Sequence, residues 1–424
     1  MRLNTSCIAV IAAISLASCQ DKISKSEKEE LSEQQPDTVQ TALGELVLPP
    51  PYATEATSNQ SKVIGWPDDK MPVVPAGFMV QKFAEDLDNP RATYVGSNGD
   101  VFVVESNTKK SANRITIVQD KDQDGKYEIR EVFKEDLNQP YGMLIIGDSF
   151  YVANTDGLYQ FPYKAGQTKL EGEGKLIVEL PAGGYNNHWT RNLIANEDNT
   201  KIYISVGSAS NVAEHGMEEE IRRANILEVN PDGTGEIIYG SGLRNPVGMS
   251  WNPATKELWT AVNERDNLGN ELVPDYITSV KKGGFYGWPY SYYGQIADPR
   301  MEGQGMDLVS EAIVPDVPVG SHTASLGLTF YDGDLFPAKY KNGAFVGQHG
   351  SWNRKELSGY KVLFVPFEGG KPTGDTEDFM TGFVSDSEKS EVYGRPVDVS
   401  VLPDGSLLVN DDSGNTIWQV ISVQ

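Results

Sequence analysis

The feature that most constrains this chain is a repeat. Six times, a turn leads into an apolar strand, a polar turn and a second apolar strand. The copies run from Asn89-Pro90 to 100–104, from Gln139-Pro140 to 148–152, from Thr190-Arg191 to 201–204, from Asn245-Pro246 to 257–260, from Ser325-Leu326-Gly327 to 343–346, and from Arg395-Pro396 to 405–409. Their starts lie 50, 51, 55, 80 and 70 residues apart. A period near fifty, with four strands' worth of sequence in each, predicts an all-β fold, a six-bladed β-propeller rather than a sandwich. The two long intervals must carry insertions, most evidently at 283–311. An early strand at 78–83 and a last one at 416–421 are expected to share a blade, which would remove the open sheet edges at the chain ends.

Around that body the chain divides in three. Residues 1–19 place an apolar run (8–16) after Met1-Arg2 and end in Leu16-Ala17-Ser18-Cys19. The run is too short to span a bilayer and closes on small residues, so it is read as a secretory signal. The L-A-S-C ending resembles a bacterial lipobox, which implies lipidation at Cys19; Gln20 after it implies an outer-membrane anchor facing the periplasm. Cys7 and Cys19 are the two cysteines of the chain, so the exported domain has no disulfide and relies on its core. Residues 20–73 are polar and Pro-rich, with Pro49-Pro50-Pro51, and read as a flexible tether, a docking element around 46–48 being left open. Residues 74–424 are the propeller. With 36 basic against 60 acidic residues, the net charge of −24 excludes nucleic acid and an anionic membrane surface as partners. Membrane attachment is then through the lipid alone.

Chemistry concentrates at Gly240–Pro289. Leu243-Arg244-Asn245-Pro246 enters one strand, and Asn263-Glu264-Arg265-Asp266 leaves the next. Two charged loops flanking one strand make a site candidate, or equally an exposed charged turn. Four histidines exist. His188 stands beside Arg191, just before the third inner strand, and is the favoured general base. His322 and His349 fall at the ends of the fifth repeat, where a hydrogen-bonded structural role is the alternative. His215, among Glu218-Glu219-Glu220, reads as a solvated loop residue.

Val74-Pro75-Ala76-Gly77-Phe78, Asn89-Pro90-Arg91, His188-Trp189-Thr190-Arg191, Val206-Gly207-Ser208, Gly242-Leu243-Arg244-Asn245-Pro246, Gly283-Gly284-Phe285-Tyr286-Gly287-Trp288-Pro289 and Gly394-Arg395-Pro396 together resemble the glucose/sorbosone dehydrogenase family, nearest its sorbosone branch. The resemblance covers residues 74–424. It implies a sugar dehydrogenase using pyrroloquinoline quinone (PQQ) and Ca2+ on a six-bladed propeller, acting on a sugar or sugar aldehyde and passing electrons to a quinone or cytochrome. In that reading His188 is the base that takes the hydroxyl proton, and Arg244 stabilises charge on the quinone oxygen. Asn245 and Glu264 border the cofactor. The backbone carbonyls of Arg265 and Asp266 ligate calcium, and Arg395 clamps a PQQ carboxylate. Val397 stands where a second clamp arginine is expected, and Arg354 is the substitute proposed for the remaining cationic contact. Glu264 stands where sugar dehydrogenases place a glutamine.

One motif lies outside that resemblance. Asp120-Lys121-Asp122-Gln123-Asp124-Gly125, with Glu131 beyond, matches a calcium-loop pattern, but its flanks alternate as strands. It reads as a hairpin turn, with a second calcium loop through Asp120, Asp122, Asp124 and Glu131 as the alternative. Trp259, Trp288, Trp352 and Trp418 are read as packing. Two other functions remain open: a metal-dependent propeller hydrolase of the lactonase type, and a non-enzymatic carbohydrate- or protein-binding propeller.

Overall fold

Short runs of branched and aromatic residues, punctuated by Gly, Asn and Asp, form antiparallel strands. The computed structural model describes residues 23–108, 110–122 and 124–423, and six antiparallel sheets make up its body. The first holds Pro90–Val95, Val101–Glu105, Arg114–Gln119 and Ile129–Lys134; the second Gly142–Ile146, Ser149–Asn154, Gly157–Pro162 and Lys175–Glu179. The third holds Leu193–Ala195, Ile202–Val206, Asn225–Val229 and Ile237–Ser241, and gains Gly284–Phe285 as a parallel fifth strand. The fourth holds Pro246–Trp251, Leu258–Val262, Pro274–Ser279 and Val317–Ser321; the fifth Ser325–Phe330, Ala344–Gln348, Lys361–Val365 and Glu377–Met380. The sixth joins Pro396–Val401, Leu407–Asp411 and Thr416–Ser422 to the early strand Phe78–Ala84, in register from Ser422↔Phe78 to Trp418↔Lys82 and shifted by one residue at Ile417↔Ala84. The pairing of the early and last strands is thus as expected, and the long interval of the fourth repeat holds residues 280–316 between its third and fourth strands.

The second strands show why these runs read as apolar without alternation. Val101–Glu105, Ile202–Val206, Leu258–Val262, Ala344–Gln348 and Leu407–Asp411 are buried along their whole length. Such strands are covered on both faces by neighbouring sheets. Between the first two sheets, Phe102 meets Phe150 and Phe133 edge-on at 4.9 and 4.8 Å. Each ring buried this way contributes roughly 1.5–3 kcal/mol. The first strand of every sheet touches the first strand of the next, and that of the sixth touches that of the first. Gly248 permits one such approach: a Cβ there would lie 2.4 Å from the Leu328 amide nitrogen.

Residues ahead of the repeats differ from the expected tether. Helix Lys25–Ser32 carries a Ser24–Glu27 capping box, and strands Asp37–Thr41 and Gly44–Leu48 form a hairpin. Leu48 is buried with Leu268, Tyr292 and Tyr293, so the docking element left open at 46–48 is present. Beyond Pro51 the chain crosses the sheets as an extended strap. Tyr52 N–H donates to the Leu268 carbonyl (2.7 Å), and Lys62 and Ile64 pair with the 390–392 segment. Trp66 ends it, Nε1 donating to Asp411 at 2.6 Å. Backbone hydrogen bonds to distant segments, which need no apolar period, order this polar stretch. The signal segment and Cys19 lie outside the described residues. Among the described residues, no helix is long and apolar enough to cross a membrane.

Candidate functional site

Antiparallel pairing places the start of each first strand beside the end of the second: Pro90↔Glu105, Pro246↔Val262, Ser325↔Gln348, Pro396↔Asp411. Loops from different repeats therefore gather at one end of the sheets. There they enclose a cavity of about 930 Å³ lined by His188, Arg244, Glu264, Asp266, Asp275 and His322, with amides between them.

His188 is fixed by a short contact. Its Nδ1 lies 2.9 Å from the Ser208 carbonyl, which assigns the proton to Nδ1 and leaves Nε2 as the acceptor. Burial, then the Arg244 charge, pushes its pKa down to about 3, so the ring is neutral. Gly207 makes room for it, since a Cβ there would sit 2.5 Å from His188 Cβ and 2.4 Å from Asn245 Oδ1. Arg244 is held on every side. Nε donates to the Asn211 carbonyl (3.0 Å), Nη1 to the Asn263 and Glu264 carbonyls (3.2 and 2.7 Å), and Nη2 to Asn211 Oδ1 (2.9 Å) and Asp266 Oδ2 (3.0 Å).

Asp266 also faces His322, whose Nδ1 is 3.4 Å from Oδ1 while Nε2 donates to the Gly269 carbonyl at 2.8 Å. Against the pull of burial, the Asp266 carboxylate raises the His322 pKa, and Arg244 with His322 lowers that of Asp266. Asp266 thus stands as a carboxylate between the Arg244 guanidinium and a His322 made more basic by it. Burial raises the pKa of two further carboxyls toward neutrality, Glu264 to about 7 and Asp275 to about 6. Asp275 Oδ1 accepts from the Glu264 N–H (2.8 Å) and Oδ2 from Thr323 (3.0 Å).

Of the sequence candidates, His188, Arg244, Glu264 and Asp266 line one cavity. Asn245, Arg265, Arg354 and Arg395 do not. Asn245 is buried behind the wall with Oδ1 unpartnered. The Arg265 side chain turns away to a buried ion pair with Asp298 (2.7 Å). The Asp266 carbonyl accepts from Asn211 Nδ2 (3.1 Å), keeping one lone pair for another partner. Arg354, proposed as a cofactor cation, forms a two-pronged ion pair with Glu271 (2.9 and 2.6 Å) and lines no part of the cavity. Arg395 gives Nε and Nη2 to the His349 and Gly350 carbonyls, both at 2.8 Å. Beside it, Asp412 binds Arg91 and accepts from His349 Nε2 (2.8 Å), so His349 belongs to this second cluster. Trp352, read as packing, is 40% exposed and lines the cavity, whereas Trp259, Trp288 and Trp418 are buried. His215 stacks on Tyr185 at 3.4 Å.

The acidic hairpin lies at the opposite end of the first sheet, between Arg114–Gln119 and Ile129–Lys134. Among the described residues, Asp120, Asp122 and Asp124 are the one group of three His, Cys, Asp or Glu side chains whose ligand atoms lie within 4.8 Å of each other. Glu131 is not part of it. The Asp120 carboxylate is engaged by the loop itself, by Asp124 N–H (3.2 Å) and Gly125 N–H (2.8 Å). Asn211, Asp275 and Gln60 of the strap, all on the cavity wall, were missed. Asn211 lies in the loop that leaves the strand Ile202–Val206, as Glu264 lies in the one that leaves Leu258–Val262, and that shared loop position was the available signal. Asp275 and Gln60 had none.

The structure of a carbohydrate-active enzyme of family AA12 from Trichoderma reesei superposes with a TM-score of 0.70 at 18% identity, over 86% of this chain and 100% of that one. The holo form of the pyranose dehydrogenase PQQ domain from Coprinopsis cinerea gives 0.70 at 19% identity, over 84% and 98%. These likenesses show a shared fold. The aldose sugar dehydrogenase of Escherichia coli is 28% identical over 197 residues, 45% of this chain and 46% of that protein. The TrAA12-like family model matches residues 72–281 and 301–423, leaving out much of the insertion in the fourth sheet. With most of the repeats inside that match, the chain belongs to the TrAA12-like family.

Proposed function

We propose that the six sheets are blades of one closed six-bladed propeller and that the protein is a quinoprotein oxidoreductase of neutral sugars or sugar aldehydes, of the aldose or sorbosone type. The observation that carries this reading is a neutral histidine with a free Nε2 sharing an amide-lined cavity with a fully fixed arginine. Amides of Gln60, Asn186, Asn187, Asn211, Asn263 and Asn267 line that space. Amides donate and accept as sugar hydroxyls do. The carboxylates weigh against an anionic substrate.

The residues present fit PQQ and Ca2+. Buried Glu264 and the remaining lone pair of the Asp266 carbonyl are hard oxygen donors suited to calcium, with the Arg265 carbonyl beside them in sequence. Arg244 is the cation for the quinone. No second arginine among the described residues lines the cavity, so cofactor retention rests on calcium and Arg244 rather than on an arginine clamp. When bound, PQQ supplies an ortho-quinone that accepts a hydride. His188 Nε2 takes the hydroxyl proton of the sugar, and the Ser208 carbonyl holds the ring for that transfer. Arg244, its five contacts preset, places positive charge where negative charge develops, without reorganising. An external quinone or cytochrome is the terminal acceptor in this reading, and Cys19 is the lipid anchor that holds the protein at the outer membrane, facing the periplasm. A lactonase-type hydrolase is disfavoured because Glu264, Asp266 and Asp275 share the cavity without converging on one point.

The test is to load the protein with PQQ and calcium and follow dye reduction across a sugar panel. His188→Ala should lose on the order of 10²–10⁴ in rate while PQQ absorbance stays with the protein. Full turnover by that variant, or no oxidation of any sugar by the wild type, would sink the reading.

A further inference from the structure

We propose that the N-terminal strap is part of the substrate site, with Gln60 as a specificity-determining residue that hydrogen-bonds a hydroxyl of a neutral pyranose. This rests on the sugar-oxidation reading for the identity of the ligand. The strap lies outside the residues matched by the family model, which begin at 72.

Three observations carry the inference. Gln60 lines the same cavity as His188 and Arg244, although nearly 130 residues separate it from His188. Gln60 is exposed on the cavity wall, and its amide has no hydrogen-bond partner among the described residues, whereas most other polar groups of that wall are engaged. The backbone on either side of it is pinned. On one side, Asn59 N–H donates to the Trp352 carbonyl (2.7 Å), Asn59 Nδ2 to the Lys355 carbonyl (2.7 Å), and Ser390 Oγ to Asn59 Oδ1 (2.8 Å). On the other, Lys62 N–H donates to the Ser390 carbonyl at 2.8 Å.

Further back, Thr54 Oγ1 accepts from Asn270 N–H at 2.8 Å, and a Cβ on Gly269 would come within 2.9 Å of that oxygen. Gly269 is also the residue whose carbonyl holds His322. The strap is thus locked to the loop that carries Asp266 and to the fifth and sixth sheets. A pinned backbone with a free amide end is the arrangement that binds at low ordering cost. An amide offers a donor and an acceptor to a hydroxyl with no charge to select for an acid. The expected ligand class is a neutral pyranose, held at the hydroxyls remote from the oxidised carbon.

The experiment uses full-length protein loaded with PQQ and calcium. Calorimetry with 1,5-anhydro-D-glucitol, which keeps the ring hydroxyls and lacks the anomeric one, reads binding without anomeric oxidation, while dye reduction on aldoses reads turnover. Gln60→Ala should weaken binding of the probe about fivefold to tenfold, the loss of one neutral hydrogen bond. It should raise KM for aldoses by the same factor, with kcat within about twofold. Ser58→Ala, exposed two residues away, should change neither. If wild type turns over and Gln60→Ala leaves both Kd and KM within twofold, or if wild type does not bind the probe, this inference is overturned. If the probe binds with the expected dependence on Gln60 but no sugar is oxidised, the inference stands and the oxidation reading falls.

Discussion

Two clusters at the same end of the sheets use the same three residue types to different ends. In one, a single arginine, Arg244, faces Asp266, and the remaining carboxylate oxygen faces His322. In the other, Asp412 holds Arg91 and His349 while Arg395 stands beside them. The two histidines are shifted in opposite directions. His322 is raised, whereas burial and then Arg395 push His349 down to about 4. Against burial, His349 and Arg91 hold Asp412 far below the usual carboxylate range. The first cluster opens on the 930 Å³ cavity and the second does not. An Arg–Asp–His set is therefore no signature of a reacting centre by itself; access to the cavity separates the set that the proposed function uses from the one that does not reach it.

The comparison breaks most visibly if each carboxylate is removed. Asp412→Ala removes the shared partner of Arg91 and His349, whose side chains are only 11% and 12% exposed; losing one partner of such a cluster typically costs about 3–5 kcal/mol, and denaturant unfolding should show that loss while any folded fraction still oxidises sugar. Asp266→Ala should cost under half as much, because Arg244 keeps its contacts to Asn211, Asn263 and Glu264, yet sugar oxidation should vanish. Equal stability losses, or activity surviving Asp266→Ala, would erase the distinction. A smaller effect separates the clusters by pH. His349 has a folded pKa below its unfolded value, so its contribution to stability is full above pH 6.5 and is lost as pH falls toward 4. His349→Gln removes that linkage. Its stability curve should be flatter than wild type over this window, by up to about 1.4 kcal/mol per pH unit; an identical slope would mean His349 is not held neutral. The smallest effect is at Arg354. Arg354→Ala breaks a partly exposed ion pair with Glu271, worth about 1 kcal/mol or less, and PQQ retention should not change.

The sheets were legible because their second strands are buried on both faces, so runs such as 101–104 and 407–409 stand out against the polar turns. His188, Arg244, Glu264 and Asp266 were legible because they sit at strand ends, where a repeat frame says which residues converge. The strap was not. Residues 52–66 have no apolar period, and what orders them is hydrogen bonding to segments far away in sequence (Leu268, Asn270, Trp352, Lys355 and 390–392) together with Trp66 packed against Phe383, Tyr393 and Trp418. Arg354 was misplaced for a similar reason. Its partner Glu271 is 83 residues away, and nothing local to Trp352-Asn353-Arg354 reveals it.

The pairing of Phe78–Ala84 with Thr416–Ser422 has a consequence for biogenesis. The first repeat-body strand to leave the ribosome has no partner until the last one has been synthesised. Throughout translation it presents unpaired N–H and C=O groups, the kind of edge that recruits foreign strands. Any product truncated before Thr416 would keep that edge permanently, so premature termination should yield aggregation-prone fragments rather than smaller working proteins. The same arrangement defers completion of the sixth sheet to the end of synthesis, which favours a nascent chain kept unfolded by a holding chaperone until it is whole.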